Sequence, residues 1–107
     1  MVEIGKDRAM GETLSLGERF LGRCLEDFDV VQRALSEPGF QQDPEFVHIV
    51  HRMAGAGGLF GYPHLSRMAR ALNDALVDKL PYEIKDIQAI ANELLGIAEG
   101  RIAPVKD

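Results

Sequence analysis

The chain has one cysteine, no Cys-x-x-Cys pair and no long apolar run, and each lack excludes a class of protein. Cys24 cannot form an intrachain disulfide, and thiolate metal chemistry has no ligand set. No stretch approaches the roughly 20 apolar residues of a membrane span. The first ten residues, MVEIGKDRAM, mix acidic and basic side chains and do not resemble a signal peptide. Excess positive charge is missing too: the net charge is −5 with both signs interspersed, which argues against nonspecific binding to nucleic acid or an anionic membrane. The expected setting is the cytoplasm. Gly-x-Ser-x-Gly, a Walker loop and a GxGxxG fingerprint are all absent, so hydrolase and nucleotide-binding chemistry lack a platform. A small solid bundle does not offer the cleft that a paired-carboxylate glycosidase needs.

What is present is helical periodicity. A chain of 107 residues, 46% hydrophobic and 27% charged, suits one domain over residues 1–107 with its core at about 13–99. A first helix is expected over about residues 13–35, with Leu14, Leu21, Cys24, Leu25, Phe28, Val31 and Leu35 on one face. Ser36-Glu37-Pro38-Gly39 ends it. Asp43 caps the second helix, Pro44 suits its first position, and Phe46, Ile49, Val50, Met53, Ala56, Gly57 and Phe60 form its inner face. A third helix starts at Gly61-Tyr62-Pro63 and runs to about Lys79. The fourth covers about residues 82–99, with Gly100 as its terminating glycine. Residues 1–12 suggest a short N-terminal helical lead-in, and residues 101–107 an irregular tail. These elements predict an all-α fold, an antiparallel up-down four-helix bundle, monomeric because four helices already close a core.

The segment HIVHRMAGAGGLFG, residues 48–61, places four glycines in seven residues of a helix, although each interior glycine costs about 1 kcal/mol relative to alanine. At about 100° per residue, His51 falls opposite the core-facing Phe46, Ile49, Met53 and Phe60. Gly55 and Gly58 follow beside it, His48 precedes it, and Gly57 points inward. The exposed glycines would leave clear ground next to an imidazole. Leu59, Tyr62, Val47 and Ala54 are expected around the same side.

Two chemistries suit such a histidine. His48 and His51, with His64, have spacing that a metal can use. Di-metal bundles, however, project carboxylate and histidine ligands inward, and no inward carboxylate set accompanies these histidines, so no metal site is assigned. Alternatively, a neutral imidazole is a good nucleophile at neutral pH and can attack an acyl phosphate such as a phosphoaspartate. The donor is already activated, so exposure, a docking surface and some positive charge suffice.

His51-Arg52-Met53-Ala54-Gly55, small Gly57, Gly61 ten after the histidine, and Leu65, Ala69 and Leu72 downstream resemble the histidine-containing phosphotransfer (HPt) domains of phosphorelays. The resemblance covers about residues 43–78. It implies that His51 is the phosphoacceptor, that Gly55 keeps approach to it open, and that receiver domains of response regulators and a hybrid histidine kinase are the partners. It implies no cofactor held by the chain itself, with Mg2+ supplied by the receiver, and a phosphohistidine intermediate without kinase or ATP-binding activity. A dimeric kinase core fits less well, because Arg52 stands where such helices carry an acidic residue. The family's usual lysine three after the histidine is Ala54 here, and the frequent glutamate after Leu72 is Asn73. Arg52, Arg67 or Arg70 are the candidate substitutes for the lysine. The departure keeps open a non-catalytic receiver-docking adaptor of the same fold, alongside the metal-binding bundle.

Overall fold

A computed structural model describes residues 15–105; the expected lead-in over residues 1–12, and Leu14, lie outside them. Helix α1 spans Leu16–Ser36, α2 Pro44–Leu59, α3 Pro63–Asp78 and α4 Ile84–Ala98, and no strand occurs among the described residues. Ser15 sets the start of α1. Its hydroxyl accepts from the Glu18 amide at 3.0 Å while Glu18 accepts from the Ser15 amide at 3.0 Å, a reciprocal pair that satisfies two otherwise unpaired donors. The Asp43 carboxylate accepts from the Glu45 amide at 2.8 Å, and Pro44 opens α2. Gly61, at φ 89°, turns the chain between α2 and α3 in a conformation that a side chain would strain. Lys79 ends α3 in the left-handed region, with the Leu80 amide donating to the Ala75 carbonyl at 2.9 Å.

The link between α1 and α2 is more than a turn. Pro38–Gln42 forms a 3-10 helix that buries Phe40 and Gln41. Arg33 lies 4.0 Å over the Phe40 ring. The Gln41 amide donates to the Ala34 carbonyl at 2.9 Å, and the Tyr82 hydroxyl donates to Gln41 Oε1 at 2.8 Å, which ties the link to the start of α4.

Helix α2 packs chiefly on α3, and α1 chiefly on α4. Between the two pairs lie Cys24, Val31, Phe46, Val50, Met53, Leu65, Ile87, Ile90, Leu94 and Ile97. The inner line of α1 runs Phe20, Cys24, Asp27, Val31 and Ala34, a spacing of four and three that follows the helical period. Leu25 stands about 100° from Cys24 and is therefore half exposed, a correction to its expected place in the core. The described part of the tail, residues 101–105, is irregular as expected but anchored: the Val105 amide donates to the Gly61 carbonyl at 2.7 Å, and Ile102 packs on Gly96. No helix among the described residues is long and apolar enough to cross a membrane.

Candidate functional site

His51 is exposed on the outer face of α2 and makes no hydrogen bond or ion pair among the described residues. A shallow depression of about 440 Å3 opens beside it, lined by His51, Ala54 and Gly55 from α2 and by Arg70, Asn73 and Asp74 from α3. Gly55 is exposed, and a Cβ built there meets nothing within 4 Å. The ground next to the imidazole is open.

Further along α2, its backbone comes close to that of α3. A Cβ on Gly57 would lie 3.1 Å from the Ser66 amide nitrogen and 3.3 Å from the Tyr62 carbonyl oxygen, so a side chain there would press the two backbones apart by a few tenths of an ångström. Ser66 in turn donates its hydroxyl proton to the Ala54 carbonyl at 2.7 Å. Gly58 is exposed but borders this seam, where an added Cβ would lie 3.4 Å from Ser66 Oγ. Asn73 has its Oδ1 buried without a hydrogen-bond partner.

On the other flank, Arg52 is committed. Its guanidinium donates to Asp27 Oδ1 at 2.6 Å, and that carboxylate is only 7% exposed. Burial pushes the Asp27 carboxyl above its ordinary range, against the pull of Arg52 and Arg23. The expectation of an exposed Arg52 available beside His51 is thus corrected: the charge is held to α1, because an unpaired carboxylate there would be strongly destabilising. Sequence reasoning missed Asp27. The signal was an acidic residue on the Cys24–Val31 line of an otherwise apolar face.

Two further corrections follow from packing. Tyr62 is not on the exposed side: it is buried, with its ring 5.4 Å from that of Phe20, which also stacks on Phe60 at 4.9 Å. The Gly61 turn swings it inward, and burial pushes its hydroxyl pKa up. Ala54 is buried as well, at the seam with α3, although it reaches the edge of the depression. Arg67 and His48 are exposed but do not line the depression. His64 lies 3.3 Å from Glu93 of α4 and does not line the depression beside His51. Among the described residues no three His, Cys, Asp or Glu side chains converge as a metal site. The Cys24 thiol is buried, and burial together with the nearby Asp27 pushes its pKa up to about 12, which leaves it unreactive.

The arrangement offers an unengaged imidazole on an exposed helix face, open space beside it, and one arginine across a shallow depression. No curated protein and no solved structure matches the chain. The family model of the Hpt domain matches residues 15–100, from the cap of α1 to the glycine after α4. The chain therefore belongs to the Hpt domain family of all-helical histidine phosphotransfer domains, whose members act with receiver domains and kinases in phosphorelays.

Proposed function

We propose that His51 accepts a phosphoryl group from a phosphoaspartate of a receiver domain and passes it to another receiver. The observation that carries this reading is the unengaged His51 imidazole with open space over Gly55, set within an Hpt domain. An imidazole nitrogen with a free lone pair attacks phosphorus, and the bond to the aspartate carboxylate oxygen breaks with its electron pair. The carboxylate leaves, the N–P bond forms, and the ring keeps its other N–H until that proton passes to water. The donor carries the activation, so the chain needs no nucleotide site; the receiver's own acidic site brings Mg2+. Transfer then depends on approach and orientation, which the helical setting of His51 and bare Gly55 favour.

The test is label transfer from phosphorylated receiver domains, screened in turn. Acid-labile phosphate should appear on the wild type and be lost in His51→Gln. Equal labelling of both proteins would sink the reading. Receiver binding without transfer, unchanged in His51→Ala, would instead favour the docking adaptor that Ala54 keeps open.

A further inference from the structure

We propose that Arg70, reaching across from α3, is the cation that holds the phosphoryl group at His51; this rests on the transfer reading above. A phosphoryl group in flight spreads negative charge over three oxygens, and its transfer is governed by positioning and by groups that stabilise that charge. On α2 itself nothing supplies it. Ala54 presents a methyl group, and Arg52 is bound to the buried Asp27 at 2.6 Å. Withdrawing Arg52 toward a phosphate would leave that carboxylate buried and unpaired.

Arg70 meets each requirement. It is exposed and lines the same depression as His51 and Gly55, and it makes no ion pair among the described residues. Asp74, four residues on and at the same depression, does not hold it. A guanidinium presents a planar fork that can donate to two phosphoryl oxygens at once. Arg67, equally exposed, does not border the depression.

The α2–α3 seam brings Arg70 into place. Because Gly57 and Ser66 let the helices meet backbone to backbone, a long side chain on α3 stands beside the nucleophile on α2.

Arg70 takes no part in bond making. It donates N–H bonds to the non-bridging oxygens while the His51 nitrogen displaces the leaving group. Its effect can therefore be read with a donor that has no docking surface. Phosphoramidate serves: its P–N bond breaks, ammonia leaves, and the phosphoryl group moves to the imidazole.

The experiment compares the rate of acid-labile phosphate formation from phosphoramidate on wild type and variants, with helicity checked by circular dichroism. Arg70→Ala should slow labelling about 10–100-fold, the range expected for loss of a charge-assisted hydrogen bond. Arg70→Lys should keep most of the rate, and Arg67→Ala all of it. Adding Ala54→Lys to Arg70→Ala should restore labelling, since a lysine at the edge of the depression can extend its ammonium into it. Wild-type rates in Arg70→Ala, with His51→Gln unlabelled, would overturn the role of Arg70 and leave the transfer reading standing. A loss that lysine rescues at neither position 70 nor 54 would mark Arg70 as structural and also overturn the proposal. Absence of label on the wild type from both phosphoramidate and phosphorylated receivers would remove the two readings together.

Discussion

On one flank of His51 the seam between α1 and α2 is joined by a buried charge, and on the other the seam between α2 and α3 is joined by missing side chains. The first uses Arg52 and Asp27 at 2.6 Å, over a groove walled by Phe20, Met53, Ala56 and Phe60. The second uses Gly57 against the backbone of Tyr62 and Ser66, with one hydroxyl donating to the Ala54 carbonyl. A charge pair holds its helices together by tying up an arginine. A glycine contact holds them without using any cation, and so leaves Arg70 available on the neighbouring surface. The two seams thus differ in what they cost: one holds α2 against α1 by engaging an arginine, and the other holds α2 against α3 with Arg70 left unpaired among the described residues.

The glycine seam should break most sharply. Gly57→Val puts a branched side chain 3.1 Å from backbone that cannot yield easily, and the expected loss is about 3 kcal/mol, read as a lower Tm and urea midpoint. An unchanged midpoint would show that α3 can back away from α2.

The charge seam should respond next. Asp27→Ala leaves Arg52 without its partner. Because a third of the Arg52 side chain reaches water, the loss is set at about 2 kcal/mol, below the ~3–5 kcal/mol typical of a fully buried pair. Asp27→Leu/Arg52→Met should return to within about 1 kcal/mol of wild type, since no buried charge is then stranded. Failure of the double variant to recover would mean that the pair sets the geometry of α2 as well as its charge balance.

The same seam carries a pH signature of smaller size. Burial holds the folded pKa of Asp27 above its ordinary 3.8. A carboxyl raised on folding contributes most stability below its unfolded pKa, and that contribution fades as pH rises through the folded value. Wild type should therefore gain stability relative to Asp27→Asn as pH falls from 7 toward 4. A difference in urea midpoint that stays flat over that window would count against burial as the dominant influence on this carboxyl.

The smallest effect separates stability from function at the open ground. Gly55→Ala meets nothing, and alanine is the better helix former, so stability should rise by about 0.5–1 kcal/mol. Transfer from a phosphorylated receiver should nevertheless slow, while labelling by phosphoramidate stays unchanged. Equal slowing with both donors would show that the Cβ disturbs His51 itself.

Much of this was legible along the chain. The stop at Ser36-Glu37-Pro38-Gly39, the start at Asp43-Pro44, the turn at Gly61 and the restart at Pro63 are local chemistry, and the helices begin and end within a few residues of where those signals fall. The inward Gly57 and outward His51 follow from the helical period alone. Phe40 and Gln41 were not legible, because a short 3-10 link has too few residues to show a period. The commitment of Arg52 was hidden for a different reason. Its partner lies 25 residues away on another helix, and only packing brings them together. Tyr62 looked exposed when the period of α2 was carried past the helix end, but Gly61 resets the chain direction.

By itself the sequence determined the four helices, their caps, and the presence of an exposed histidine beside bare glycines, since each depends on contacts within about one helical turn. Tertiary structure decided which charges are engaged and which are free. Arg52 and Arg70 are the same residue type on exposed-looking stretches, and nothing in their neighbours along the chain tells them apart. The difference lies across the seams: Arg52 meets the buried carboxylate of Asp27, and Arg70 meets an open depression with His51 on its far side.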